Sequence, residues 1–206
     1  WEAAAVAKAA MDTGVARMKV DIESYKEQLE NRLGKSREVM RSMFHVAKSF
    51  PKRVVFPEGA NEKILRASHI IVDEGIAHPV LLGKEEIIRH AAKELDIDLS
   101  GVDIIHPTTS ADFENYAQTY YKLRQRKGLT YDEAIQHMRN PNYYGSMMVH
   151  MGRADALIAG VTQNYPDTIR PALQIVQMQE GLSTVSGLYV LLIKNKIFFI
   201  ADPAVN

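Results

Sequence analysis

The chain has 206 residues, of which 46% are hydrophobic and 24% are charged, a balance typical of an ordinary globular protein. Its 25 Lys and Arg residues equal its 25 Asp and Glu residues, so the formal net charge is zero. That balance argues against nucleic acid as the main partner. Because the chain has no cysteine, disulfides, thiolate metal sites and cysteine nucleophiles are excluded, and the composition fits a cytoplasmic protein.

The longest apolar stretch, residues 185–201, is interrupted by Lys194, Asn195 and Lys196. It favours two strands rather than a membrane span, so no membrane association is predicted. The first residues lack the basic region of a signal peptide. Since a helix without a capping residue follows at once, and the last residues lie just past an apolar strand, we expect both ends to be cuts through a longer chain.

Residues 1–50 are rich in Ala, Glu and Arg and contain few strand formers. They predict three helices, 3–11, 22–33 and 37–49. Gly14 is expected to end the first, Asp21 to cap the start of the second, and Ser36 to cap the start of the third. This part is predicted to be a helical linker rather than the main fold.

From residue 51 onward, short β-forming runs alternate with longer helical segments. The predicted strands are 53–56, 79–82, 102–105 and 154–159, and the predicted helices are 61–74, 84–95, 111–127, 131–139, 141–151 and about 167–180. Two further strands, 187–193 and 197–201, are predicted to form a hairpin through residues 194–196. The alternation predicts an α/β fold over 51–206, with a mostly parallel sheet flanked by helices.

Sequence motifs for several common sites are absent. Gly34-Lys35-Ser36 resembles the end of a phosphate-binding P-loop, but Leu29 stands where the motif needs glycine, and a predicted helix precedes it instead of a strand. No dinucleotide-binding fingerprint is present, and the seven histidines lack the spacing of metal ligands. We therefore assign no metal site to this chain.

The segment from Gly160 to Pro171 joins the end of a predicted strand to a predicted helix. Ligands of open α/β sheets bind at this position, and a helix N-terminus favours an anion, which the guanidinium of Arg170 could hold. The alternative is structural: Asp167 or Thr168 caps the helix, and Pro171 begins its first turn. Arg170 would then pair with Asp167. On the pattern alone the structural interpretation is the more common one.

A second candidate lies near the end of the predicted helix 111–127, whose last turns carry four cations: Lys122, Arg124, Arg126 and Lys127. Cations at this position offset the helix dipole and bind the last carbonyls. Arg124 differs from the others because it lies four residues after Tyr120, on the same helix face, and could point into a cleft. The sequence leaves both roles of Arg124 open.

Glu58 also follows a predicted strand and precedes a predicted helix. The carboxyl ends of parallel strands meet at one sheet edge, so Glu58 is expected near Thr162. It either orients a ligand there or belongs to a turn that precedes a capping Asn61.

From about Arg53 to Asp202 the chain resembles the first half of the phosphate acetyltransferase family. The segments that carry the resemblance are 55–58, 75–77, 121–124, 127–130, 147–152, 167–175 and 199–202. The most specific is Asp167-Thr168-Ile169-Arg170-Pro171-Ala172-Leu173-Gln174-Ile175. The resemblance implies two α/β subdomains around a cleft, and a dimer.

Residues 1–50 resemble something else. Segment 5–16 is similar to the end of the catalytic part of bacterial malic enzymes, and segments 21–25 and 32–40 are similar to the linker that follows it. The two resemblances occur together in hybrid NADP-dependent malic enzymes, in which a phosphate acetyltransferase-like domain follows the decarboxylating one.

The resemblance implies that arginines matching Arg124 and Arg170 contact coenzyme A or an acyl phosphate. Our own expectation is that Thr168, Thr162 and Glu58 line the same cleft. The resemblance also implies an acetyl-CoA-sensing, homo-oligomer-forming domain. No catalytic residue is expected in this chain, because the NADP site and the Mg²⁺ or Mn²⁺ site would precede Trp1, and the transferase residues would follow Asn206. Residues 162–166 replace a family stretch of small hydroxylic residues, which weakens the case for transferase activity.

Three functions follow as expectations. The first is a regulatory domain of a malic enzyme that oxidatively decarboxylates malate to pyruvate and CO₂. The second is a catalytic phosphate acetyltransferase that makes acetyl phosphate from acetyl-CoA. The third is a purely structural oligomerisation domain, in which the cleft residues tolerate substitution while the helices around residues 143–151 do not.

Overall fold

The computed structural model describes residues 2–26, 35–178, 181, 185–193 and 196–202. The chain divides into two units, one formed by Trp1–Phe44 with Thr184–Asn206 and the other by His45–Ser183. All predicted site residues lie in the second unit.

Four parallel strands form the sheet of the second unit: β1 (Lys52–Phe56), β2 (Ala77–Leu82), β3 (Asp103–Ile105) and β4 (Ala156–Leu157). Their order is β3-β2-β1-β4, and Val54 and Val55 of β1 pair with Ala156 and Leu157 of β4. The predicted parallel sheet is confirmed. The prediction that β4 spans 154–159 is too long, because the chain beyond Ile158 leaves the sheet and enters a loop held by side-chain hydrogen bonds.

Eight helices can be assigned bounds within the described ranges. They are α1 (Glu2–Asp12), α2 (Lys35–Ser49), α3 (Glu62–Asp73), α4 (Glu85–Glu94), α5 (Phe113–Arg124), α6 (Tyr131–Met138), α7 (Pro141–His150) and α8 (Tyr165–Ile175). Short 3₁₀ turns cover Pro107–Thr109 and Gln125–Lys127. None of the helices in the described part of the chain is long and apolar enough to cross a membrane.

The sheet carries a separate apolar core on each face because successive side chains of a strand point to opposite sides. Val55 of β1, with Val80 and Leu82 of β2, packs among buried residues of α5, α6 and α7. Phe56 and Leu81 point the other way and pack against α3 and α4. The second unit is therefore a three-layer α/β/α arrangement, as the alternation of strands and helices predicts.

Helix α7 approaches the sheet closely because residue 145 is glycine. A Cβ atom at this position would lie 2.5 Å from Cδ1 of Leu157 and 3.1 Å from Cγ1 of Val55. The side chains of Tyr144, Met147 and Met148 are buried around this contact. Helix α7 is thereby held between the sheet and α8.

The predicted helix N-caps Asp21 and Asn61 are confirmed, whereas Ser36 is not an N-cap. The Asp21 carboxylate accepts a hydrogen bond from the Ser24 backbone N–H at 2.8 Å, and Asn61 accepts one from Lys63 at 2.9 Å. Ser36 does not cap α2, because that helix already includes Lys35. Of the predicted helix 22–33, residues 22–26 are helical and the remainder lies outside the described residues.

The first unit contains the predicted hairpin. Strands β5 (Gly187–Ile193) and β6 (Lys196–Asp202) pair antiparallel, with Val190 opposite Phe199. The predicted connection 194–196 is one residue too long, because Lys196 already belongs to β6 and pairs with Ile193. Residues 194 and 195 lie outside the described ranges.

Candidate functional site

The strand order creates a topological switch point between β1 and β4. From β1 the chain proceeds to β2 and β3 on one side, and β4 then pairs with the other edge of β1. Ligands of open α/β sheets bind in the crevice outside the carboxyl ends of such strands. Here those ends lead into Glu58 and into the loop 158–164, which joins β4 to α8.

Glu58 holds this loop in place through four hydrogen bonds to its carboxylate. Oε2 accepts from the backbone N–H groups of Gly160 and Val161, both at 2.9 Å. Oε1 accepts from the backbone N–H of Thr162 at 2.6 Å and from the Thr162 hydroxyl at 2.5 Å. Glu58 and Thr162 therefore lie together, at the edge of the sheet where the sequence places them.

The charge of Glu58 is stabilised by these contacts. Burial raises the pKa of the Glu58 carboxyl, but the hydrogen bonds from Thr162, Val161 and Gly160 outweigh burial and leave the pKa below its ordinary value of 4.5. Three successive backbone donors, which could form a nest for an anionic ligand, are thus taken up by Glu58. Binding of an anion at this crevice therefore requires cationic side chains rather than these three N–H groups.

Helix α8 begins two residues earlier than its prediction. Asn164 is the N-cap residue and Pro166 lies in the first turn, so neither Asp167 nor Thr168 caps the helix. The Thr168 hydroxyl donates back to the Asn164 carbonyl at 3.3 Å. The helix ends at Ile175 rather than near 180, because Gln177 takes a positive φ of 62°.

Pro171 lies inside α8 rather than at its start, where it cannot donate a hydrogen bond to the Asp167 carbonyl four residues earlier. The side chain of Asn142 on α7 supplies the missing donor, with its amide nitrogen 3.1 Å from the Asp167 carbonyl oxygen. The same amide also donates to the side-chain oxygen of Gln163. Asn142 is fully buried, and the sequence analysis did not identify it.

Arg124, at the end of α5, and Arg170, on α8, are the two cations predicted to bind the ligand. Arg124 is half-buried at the end of α5, whereas its neighbours Lys122, Arg126 and Lys127 are exposed. Arg170 is exposed on α8, and within the described ranges neither arginine forms an ion pair with a carboxylate. The suggested ion pair between Arg170 and Asp167 is therefore wrong.

Both guanidinium groups act on the same hydroxyl. Burial raises the pKa of Tyr143 on α7, and the positive charges of Arg170 and Arg124 oppose that rise. The charges of two residues 46 positions apart in sequence therefore converge on one side chain. Whether these arginines, Thr168, Thr162 and Glu58 contact a ligand stays a prediction.

The described part of the chain brings no three His, Asp or Glu side chains together in a way that could hold a metal ion. The arrangement instead offers two guanidinium groups that both act on Tyr143, which suits recognition of a phosphate or carboxylate.

A family model described as phosphate acetyl/butaryl transferase matches residues 38–206. The chain belongs to this family. The resemblance seen in the sequence is thereby confirmed at the level of the family.

Phosphate acetyltransferases are among the proteins that this chain resembles in sequence and in fold. The phosphate acetyltransferase of Thermoanaerobacterium thermosaccharolyticum is 40% identical over 174 residues, which cover 82% of this chain and 52% of that protein. The crystal structure of a phosphotransacetylase from Streptococcus pyogenes is 32% identical, with a TM-score of 0.71, and covers 77% of this chain and 50% of that one. The predicted fold is confirmed.

A malic enzyme aligns along almost the whole chain. The NADP-dependent malic enzyme of Salmonella typhimurium is 34% identical over 209 residues, which cover 99% of this chain and 28% of that protein. The chain thus spans about a quarter to a half of the length of the curated relatives that it matches. This alignment is consistent with a fusion to a malic enzyme.

Proposed function

We propose that this chain is the phosphate acetyltransferase-like regulatory domain of an NADP-dependent malic enzyme. The observation that carries the proposal is the alignment with a malic enzyme over 99% of the chain, compared with 91% for a phosphate acetyltransferase relative that also extends into the residues before 38. In this proposal residues 1–50 are the last helices of the malic part and the linker. Residues 51–206 are the first portion of the acetyltransferase-like domain.

The proposed effector is acetyl-CoA, held at the crevice between β1 and β4. Arg124 and Arg170 support this assignment because both are free of ion pairs within the described residues and both influence Tyr143. A guanidinium can bind a phosphate oxygen pair in a bidentate manner, and coenzyme A carries several phosphates. Thr168 lies on the same helix as Arg170, and Glu58 with Thr162 shapes the loop beside it.

The proposed effect of acetyl-CoA is to lower malate decarboxylation by the parent protein. A regulatory ligand changes activity only if it binds one state of the protein more tightly than another. We propose that the two states differ in the assembly of a cytoplasmic homo-oligomer formed through this domain. NADP and Mg²⁺ or Mn²⁺ would be bound by the decarboxylating part.

A second candidate is catalysis of phosphate acetyl transfer. It is favoured by the 40% identity to the phosphate acetyltransferase of Thermoanaerobacterium thermosaccharolyticum. Such an enzyme would move the acetyl group of acetyl-CoA to phosphate and release coenzyme A.

One assay of the full-length protein separates the candidates. Malate-dependent NADP reduction is measured with and without acetyl-CoA, with free coenzyme A as the control ligand, and acetyl phosphate formation is followed in parallel. Malate activity that falls with acetyl-CoA supports the regulatory function. Malate activity indifferent to acetyl-CoA contradicts it, and acetyl phosphate formation without malate activity favours the transferase.

A further inference from the structure

Gln174 connects three helices through hydrogen bonds to one oxygen atom. Its Oε1 accepts a hydrogen bond from the Tyr120 hydroxyl of α5 at 2.7 Å and from the Tyr143 hydroxyl of α7 at 3.1 Å. A carboxamide oxygen has two lone pairs, so both are used. Displacement of α8 relative to either helix would break at least one of these bonds.

A fourth helix joins the same cluster through His137. Its Nδ1 lies 3.2 Å from the Tyr120 hydroxyl, and its ring centroid lies 4.6 Å from that of Tyr143. Since the Tyr120 hydroxyl donates to Gln174, Nδ1 is the donor to the Tyr120 oxygen, which assigns the ring hydrogen to that nitrogen. Burial lowers the pKa of His137, which favours the neutral ring that this arrangement needs.

The cluster lies in an environment where broken hydrogen bonds are costly. Tyr120 is 1% exposed, and the rings of Tyr120 and Tyr143 pack edge to face with centroids 5.7 Å apart. A hydroxyl left without a partner among such groups keeps its full desolvation penalty. Apolar contacts tolerate small shifts between helices, whereas these directional bonds fix the position of α8.

The cluster is also one helical turn from each arginine of the proposed site. Gln174 lies four residues after Arg170 on α8, and Tyr120 lies four residues before Arg124 on α5. Residues four apart share one helix face. The bond between Tyr120 and Gln174 therefore joins the two faces that carry the guanidinium groups.

We propose that Gln174 is a positioning residue that sets the separation of Arg124 and Arg170, and so selects a ligand whose anionic groups span both arginines. This inference rests on the proposed binding of acetyl-CoA. A ligand with one anionic group, such as inorganic phosphate, needs only one arginine and is insensitive to their separation. Loss of the Gln174 acceptor therefore weakens acetyl-CoA binding selectively.

The test compares Gln174→Leu with Gln136→Leu in the full-length protein. Gln136 lies exposed on α6, and its side chain makes no hydrogen bond to any described residue. Dissociation constants for acetyl-CoA and for inorganic phosphate are measured by calorimetry. We expect Gln174→Leu to weaken acetyl-CoA binding by about tenfold, as for loss of an aligned charge-assisted contact. The dissociation constant of Gln174→Leu for phosphate should change by less than about twofold, and so should both constants of Gln136→Leu.

A second measurement repeats the comparison with Arg170→Ala. If Gln174 acts by positioning, Arg170→Ala weakens acetyl-CoA binding strongly in the wild-type background but adds less than about twofold in Gln174→Leu, because the two changes are coupled. Additive effects, or equal weakening for phosphate and acetyl-CoA, would overturn the positioning role.

Tyr120→Phe provides the same test if Gln174→Leu does not fold, because it removes the hydroxyl that donates to Gln174 and keeps the ring. Its control is Tyr121→Phe. The ring of Tyr121 packs on that of Tyr131, with centroids 5.8 Å apart, and is not part of the cluster. Selective loss of acetyl-CoA affinity in Tyr120→Phe supports the inference, and unchanged affinity rejects it. If Arg124→Ala and Arg170→Ala leave acetyl-CoA binding unchanged, the proposed function itself fails, and the positioning role falls with it.

Discussion

The side-chain amide of Asn142 lies 3.1 Å from the carbonyl oxygen of Asp167, the group that a helical residue at position 171 would bind if it were not proline. An internal proline leaves one carbonyl of the preceding turn without a partner. Here a buried side chain from a neighbouring helix occupies that position. The start of α8, with Thr168 and Arg170, therefore depends on α7 for its geometry.

Asn142→Ala should destabilise the protein by about 1–3 kcal/mol, the usual cost of leaving a buried carbonyl unsatisfied. The free energy of unfolding in urea measures the effect. Asn115→Ala, which removes an exposed asparagine on α5, is the matched control and should change stability by less than about 0.5 kcal/mol.

The same interpretation predicts a coupling between Asn142 and Pro171. Pro171→Ala restores the backbone N–H, so Asn142→Ala should cost less in that background than in the wild type. Equal costs in both backgrounds would show that the bond to Asp167 does not account for the effect of Asn142.

Replacement of Glu58 should remove a pH-dependent contribution to stability. Because hydrogen bonds to the loop lower the pKa of Glu58 from its ordinary 4.5, its contribution is present above that value and is lost as the pH falls through the lower folded-state pKa. Unfolding of the wild type and Glu58→Gln is compared from neutral pH downward. The difference should be constant near neutrality and shrink in acid.

Glu62→Gln is the control for Glu58, since Glu62 forms only an exposed pair with Arg66 one turn along α3. Amide hydrogen exchange adds a local measurement, in which the N–H groups of residues 160–162 should exchange faster in Glu58→Gln. Unchanged protection at these three amides would contradict the role of Glu58 in holding the loop.

Gly145→Ala should destabilise the second unit by about 1–3 kcal/mol, the range for overpacking of a closed core. The added Cβ would lie 2.5 Å from Cδ1 of Leu157, so either α7 or β4 must move. Thermal unfolding measures the loss. Adding Leu157→Ala removes the clashing atom, so the second substitution should cost less in the Gly145→Ala background than alone.

The periodic pattern of the sequence predicts most of the fold because strands and helices depend on local residue order. Val54, Val55 and Phe56 mark a buried strand without any knowledge of its neighbours. Arg124 is half-buried while the cations around it are exposed. This difference in burial also follows from local spacing, since Tyr120 lies one turn earlier on the same helix face.

The features that the sequence does not predict depend on partners far along the chain. The bond from Glu58 to Thr162 spans 104 positions, and the bond from Tyr120 to Gln174 spans 54. Pro171 is typical of a first helical turn, and only the donor from Asn142 explains how it fits inside α8. Local spacing carries no information about such contacts, so the roles of Asn142 and Gln174 require the structure.

Equilibrium binding of acetyl-CoA to the full-length protein tests the central claim most directly. The account predicts that Arg170→Ala and Arg124→Ala each weaken binding by about 10- to 100-fold, as expected for loss of a hydrogen bond to a charged group, and reduce its dependence on salt. Arg126→Ala, which removes an exposed cation two residues from Arg124, should bind as the wild type does. Equal affinity in the wild type and both cleft variants would contradict the assignment of this crevice as an acetyl-CoA site.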